Sequence, residues 1–136
     1  MRTAFSIFTA AVFAVISAVA VANVDIGPAI GSKIPGNFTA LDKTGAKKQF
    51  NDIVGENGVV LSFVRSADWC PYCKQQMINL QTIEGDLKSR GYNLATVSYD
   101  APPILDRFSR ERDITYIMLS DEQSAMIDAW HSRSPI

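Results

Sequence analysis

Hydrophobic positions follow one pattern over the first two dozen residues and another over the rest of the chain. Ala4 to Ala22 is an unbroken run without a charged residue. Beyond it, short apolar segments alternate with polar ones. Asn37 to Asp42 interleaves apolar and polar positions. Lys43-Thr44-Gly45 follows as a turn and Lys48-Gln49-Phe50 as a return arm, which predicts an antiparallel hairpin. Gly58 to Val64 is nearly continuous in apolar residues and of strand length, the pattern of a strand buried on both faces of a parallel sheet. Met77, Leu80, Ile83 and Leu87 then recur at steps of three and four. With Pro71 at the start and Arg90-Gly91 at the end, they predict one helix from Pro71 to Lys88. Tyr92 to Tyr99 reads as a second core strand. Pro102-Pro103 opens a helix running to about Arg112, with Ile104, Leu105 and Phe108 on one face. Tyr116 to Leu119 reads as a third core strand and Ser124 to Trp130 as a short helix. Strands alternating with helices predict an α/β fold whose central, mostly parallel sheet has right-handed crossovers.

The leading apolar run changes the domain picture. Arg2 precedes it, and it closes on Ala18-Val19-Ala20 and Ala20-Val21-Ala22, the small-x-small pattern of a signal-peptide cleavage site. Residues 1–22 are therefore expected to be a signal peptide. The alternative is an uncleaved anchor, since the run approaches the roughly 20 residues that span a bilayer. Either reading places the remainder outside the cytosol, in a bacterial periplasm or secreted, and only the anchor brings the chain to a membrane. Residues 23–36, rich in Gly, Pro and Ser over Gly27 to Pro35, read as a linker, residues 37–130 as a single domain and 131–136 as a polar tail.

A chain of 136 residues has room for one domain. With 47% hydrophobic and 20% charged residues it is of ordinary globular composition. The net charge is −1, with both signs dispersed, so no basic stripe exists to neutralise phosphates and nucleic-acid binding is excluded.

The chemistry concentrates in Trp69-Cys70-Pro71-Tyr72-Cys73, which holds both cysteines of the chain. The apolar strand ending at Val64 leads directly to it, and in parallel sheets function gathers at the carboxyl ends of strands. A thiolate is the nucleophilic form of cysteine, and a helix start lowers a thiol pKa through unpaired N–H groups and the helix dipole. Cys70 is thus expected to attack a disulfide and Cys73, one turn on, to resolve the mixed product. Pro71 fixes the first turn without losing an N–H, and Trp69, with Pro71 and Tyr72, offers partner surface. Asp68 would oppose thiolate formation and Arg65 would favour it.

Other readings of the pair are weaker. Structural zinc needs four ligands, and His131 is the only further Cys or His. A structural bridge closing so small a loop constrains the unfolded chain little. Copper sites recruit Met or His beside the cysteines, but the spacing of Met77 suits the helix core. No metal and no cofactor is implied. His131 reads as solvated, and Arg107, Arg110 and Arg112 with Asp106, Glu111 and Asp113 read as the wet face of a helix.

The run Gly31-Ser32-Lys33-Ile34-Pro35-Gly36-Asn37-Phe38-Thr39-Ala40-Leu41-Asp42 with Gly45, the apolar strand, the Cys70-Pro71-Tyr72-Cys73 motif and Leu119-Ser120-Asp121 together resemble the redoxin and peroxiredoxin-like branch of the thioredoxin superfamily. This is the alkyl hydroperoxide reductase and thiol-specific antioxidant family. The resemblance implies a thioredoxin-like fold and an exported antioxidant or disulfide-exchange enzyme with Cys70 as the reactive thiol. Its partners would be protein or small-molecule thiols and disulfides, and peroxides in the peroxidase version. Peroxidases of that family carry Thr or Ser three residues before the reactive Cys and Pro four earlier still. Here these positions are Ala67 and Phe63, so peroxide activation of that kind is less expected than disulfide exchange. The family also implies two more strands and a final helix after residue 130. Without them, the strand feeding Cys70 is expected to have an unpaired edge, and a catalytically weak module acting only in binding is the alternative function.

Overall fold

The computed structural model describes residues 30–33 and 38–130. The expected signal peptide, most of the expected linker, His131 and the rest of the polar tail lie outside the described residues. Within them, five strands and five helices follow one another as β1 (Thr39–Asp42), β2 (Lys47–Gln49), α1 (Phe50–Ile53), β3 (Gly58–Phe63), α2 (Pro71–Gln81), α3 (Glu84–Ser89), β4 (Tyr92–Ser98), α4 (Pro102–Glu111), β5 (Ile117–Ser120) and α5 (Ala125–Ala129). No helix among these residues is long and apolar enough to cross a membrane.

The strands form one sheet in the order β2-β1-β5-β4-β3. β3, β4 and β5 are parallel, and the hairpin joins antiparallel through β1 and β5. The period of two along β4 divides the core between the two faces. Leu94 joins Met118, Met77 and Phe108 on one face, while Ala95 and Val97 join Leu119, Ile53 and Met126 on the other.

The structure corrects four local expectations. Phe50 belongs to α1, a single turn capped by Gln49 and Asp52, with the Gln49 N–H donating to Asp52 Oδ2 at 2.7 Å. The helix expected from Pro71 to Lys88 is two helices. The Thr82 and Ile83 N–H groups bond three residues back, to the Asn79 and Leu80 carbonyls at 3.1 Å, and the Thr82 hydroxyl also donates to the Asn79 carbonyl at 2.7 Å. That tightening ends α2. The third core strand begins one residue later than expected, at Ile117.

The fourth correction concerns β3, which is not buried on both faces. It is an edge strand among the described residues, the unpaired edge that the family resemblance implied, with Val60 37% exposed. Val59, Leu61 and Phe63 pack on one side, and its other side carries Ser62, bonded by Gln76 of α2 at 3.3 Å.

The hairpin turn has an electrostatic anchor. Asp42 Oδ1 accepts hydrogen bonds from Thr44 Oγ1 (2.6 Å), Thr44 N (2.8 Å) and Ala46 N (3.0 Å), and Lys48 Nζ lies 3.4 Å from Oδ2. Gly45 supplies the positive φ of 84° that the turn requires. Burial alone would raise the Asp42 carboxyl, but the Thr44, Ala46 and Lys48 donors outweigh it and hold the group below its ordinary value of 3.8. A lowered folded-state value means stability that is present above the unfolded value and lost as pH falls through the folded one. Asp42→Ala should therefore cost roughly 1 kcal/mol at neutral pH. Urea midpoints of the two proteins should converge in strong acid. A difference that persists there would place the effect elsewhere than in the carboxylate.

Candidate active site

β3 ends against β4, the Val64 N–H still donating to the Val97 carbonyl at 2.9 Å, and the chain then turns away at Arg65. Five residues later Cys70 occupies the N-cap of α2 in extended conformation, with Pro71 in the first helical turn. Its sulfur accepts the Cys73 N–H at 3.3 Å. Cys70 and Cys73 are joined in a disulfide, their Cα atoms 5.2 Å apart. On reduction the same N–H and the helix dipole would face a Cys70 thiolate.

Both cysteines are 7% exposed, in the core cluster that also holds Met77. Their neighbours are not: Trp69 is 54% and Tyr72 87% exposed, and Pro71 is also exposed. From Tyr72 an open groove of ≈ 450 Å³ continues along α2, lined by Gln75, Gln76, Asn79, Leu80 and Ile83. Those from Tyr72 to Leu80 lie on α2, and Ile83 stands at the start of α3.

The charges flanking the pair are arranged in a way the sequence does not disclose. The Arg65 guanidinium lies over the Trp69 ring, 5.3 Å from its centroid. Asp68 is paired with Arg107 of α4, whose Nη2 lies 2.6 Å from Oδ1. Arg107, expected on the wet face of its helix, thus reaches the dithiol loop and compensates the carboxylate that would oppose a thiolate. Arg110 fits its expected solvated role, paired with Asp106 one turn back on α4.

Two groups absent from the sequence reading hold the loop. Asp100, 4% exposed just beyond β4, accepts the Ser66 hydroxyl at 2.7 Å on Oδ1, and the Ala67 N–H at 2.6 Å and Ser98 hydroxyl at 2.8 Å on Oδ2. Ser66, fully buried, in turn accepts the Asp68 N–H at 2.9 Å and the Trp69 N–H at 3.3 Å. Their available signal was position alone: Asp100 follows the carboxyl end of a core strand, where this architecture places function. Asp121, beyond β5, has a different task. Its Oδ2 accepts the Met126 and Ile127 N–H groups at 2.9 and 3.1 Å and so caps α5.

Among the described residues no group of three His, Cys, Asp or Glu could hold a metal ion. Met77 is fully buried and part of the core.

A mixed sheet flanked by helices, with a Cys-x-x-Cys pair at a helix start beyond the end of a parallel strand, defines a protein of the thioredoxin-like class. The chain belongs to the AhpC/TSA family, whose model matches residues 30–135. It is similar to the thiol-disulfide oxidoreductase ResA of Oceanobacillus iheyensis, with 31% identity over 83 residues covering 60% of this chain and 42% of ResA. A Mycobacterium tuberculosis protein named as a peroxiredoxin is 28% identical over 100 residues, covering 74% of this chain and 62% of that protein. Among solved structures, peroxidoxin BcpB from Mycobacterium tuberculosis superposes with a TM-score of 0.63 at 20% identity, over 73% of this chain and 64% of that one. The chain thus spans less than two thirds of the length of each of these proteins.

Proposed function

We propose that this protein is a thiol-disulfide oxidoreductase acting outside the cytosol, with Cys70 as the attacking thiol and Cys73 as the resolving one. The observation that carries the reading is the Cys70 sulfur at the N-cap of α2, accepting the Cys73 N–H. In the reductive direction the Cys70 thiolate attacks one sulfur of a substrate disulfide. That S–S bond breaks, the departing thiolate takes up a proton, and a mixed disulfide remains on Cys70. The Cys73 thiolate then attacks the Cys70 sulfur, releasing the second substrate thiol and closing the Cys70–Cys73 bridge. Two electrons pass from the dithiol to the substrate. Oxidation of a substrate dithiol is the same sequence reversed.

Trp69, Pro71 and Tyr72 form the surface a partner meets before it reaches sulfur. The apolar run Ala4 to Ala22 with its small-residue ends supports export. Peroxide reduction would instead oxidise Cys70 to a sulfenic acid, which Cys73 condenses to the disulfide with loss of water. Ala67 and Phe63, where the family's peroxidases carry a hydroxyl residue and a proline, weigh against that version.

The test is turnover by the full mature chain, pre-reduced and supplied with a thiol donor. Reduction of glutathione disulfide is expected, with little consumption of hydrogen peroxide above the background of the donor. Peroxide consumption without disulfide reduction would reverse the assignment. Neither activity from a folded protein would leave a binding module.

A further inference from the structure

The Asp100 cluster has a stake in the chemistry beyond folding. In sequence Asp100 is 30 residues from Cys70, yet every backbone N–H from Ala67 to Trp69 is bonded either to its carboxylate or to the Ser66 hydroxyl that the carboxylate orients. A serine hydroxyl has one proton and two lone pairs. Because Asp100 Oδ1 takes the proton, the lone pairs of Ser66 are turned toward the Asp68 and Trp69 N–H groups. Ser98 adds a further restraint. Its hydroxyl donates to Asp100 Oδ2 at 2.8 Å and accepts the Asp100 N–H at 3.2 Å, which fixes the carboxylate against the end of β4. No Lys or Arg pairs with Asp100 among the described residues. Its buried carboxylate is satisfied by this set of donors alone.

The next residue along the chain is Cys70. A sulfur at an N-cap gains from the helix only while it lies close to the N–H groups of the first turn, since the effect falls off within that turn. We infer that Asp100, acting through Ser66, is a positioning residue for Cys70: by fixing the Ala67–Trp69 turn it keeps the sulfur against the start of α2 and so sets how readily the thiol ionises. The inference rests on the reading of Cys70 as the attacking thiol. The charged groups bordering the turn are Asp100 itself, Arg65, Asp68 with its partner Arg107, and Lys74 in the first turn of α2. Substitutions at Ser66 leave all of them in place.

The experiment compares Ser66→Ala, Ser66→Thr and Asp100→Asn with the parent, each in a Cys73→Ser background of the full mature chain. Two quantities are read: the rate of Cys70 alkylation by iodoacetamide as a function of pH, and stability by urea unfolding. Ser109→Ala serves as a control for loss of a buried hydroxyl, because Ser109 bonds Lys43 and the Asp106 carbonyl instead. Ser66→Ala should move the alkylation midpoint upward by about one pH unit, which is about tenfold in thiolate below the midpoint. Ser66→Thr, which keeps the hydroxyl, should return it toward the parent, and Ser109→Ala should not move it. Asp100→Asn removes both an acceptor for the turn and a negative charge that by itself opposes the thiolate, so it is compared for stability, and the positioning role is read from the Ser66 pair.

If Ser66→Ala folds and lowers stability but keeps the parental pH profile, the positioning role is refuted and the dithiol reading stands. A profile moved as far by Ser109→Ala also refutes it, by showing a general effect of destabilisation. A folded parent whose Cys70 stays unreactive across the pH range overturns the dithiol reading, and the positioning role with it.

Discussion

Cys70→Ser should reduce disulfide exchange to the uncatalysed rate, while Cys73→Ser should stop turnover but preserve the first chemical step. The two cysteines are equally buried at 7%, so exposure does not distinguish them. Position does. Cys70 is the N-cap, and its sulfur receives the Cys73 N–H at 3.3 Å. Cys73 lies inside the first turn, where its own N–H is the donor. A negative charge is therefore favoured at Cys70 more than at Cys73. Incubated with glutathione disulfide, the Cys73→Ser protein should accumulate one stable mixed disulfide on Cys70, seen as a single added glutathione by mass spectrometry. Cys70→Ser should accumulate far less under the same conditions. Both variants should remain folded, since the bridge closes too short a loop to constrain the unfolded chain strongly. Faster trapping on Cys73 than on Cys70 would invert the assignment.

Much of the architecture was legible because local signals and packing agree. Pro71 and Pro102 open α2 and α4 where a missing N–H costs nothing, and Gly91, with φ of 77°, follows α3 where a β-carbon would be strained. The apolar run of β4 is buried on both faces, as its composition implied. The same composition misled at β3. Its Val and Leu content reads as a central strand, but its place at the sheet edge is decided by which strands pair with it; no single segment encodes that, and only the family resemblance implied the unpaired edge.

The break between α2 and α3 was equally hidden. The steps from Met77 to Leu87 continue across it, and the interruption comes from hydrogen bonds to the Asn79 and Leu80 carbonyls. Long-range geometry was least legible where polar groups are concerned. Arg107 looked like one of several solvated charges until α4 brought it to Asp68, 39 residues away in sequence. Ser66 and Asp100 carry no motif at all. Their roles exist only once β3 and β4 are paired, because the pairing brings the turn after one strand against the acid after the other.

Met77→Ala should destabilise the fold by about 2–5 kcal/mol, the range for removing a large buried apolar side chain. Met77 is one turn beyond Cys73 and fully enclosed, in the cluster formed with Phe108, Tyr116 and Met118 beneath the dithiol. The Met77 carbonyl also accepts the Tyr116 hydroxyl at 2.9 Å, and burial pushes that phenol above the usual tyrosine range. This bond therefore holds α2 to the residue before β5 throughout the neutral range, and truncating the side chain opens a void beside it. Against the roughly 5–15 kcal/mol that stabilises a typical domain, the loss is large. Met77→Leu, close in volume, should cost less than about 1.5 kcal/mol. Urea unfolding of the three proteins reads the difference, and disulfide exchange measured on the folded fraction should survive in Met77→Leu. A thioether serving as ligand to a soft metal could not be replaced by leucine, so retained exchange in that variant identifies Met77 with packing. A near-neutral Met77→Ala would show that the side chain contributes little to packing, and loss of exchange in a stable Met77→Leu would show that the sulfur itself is needed at the site.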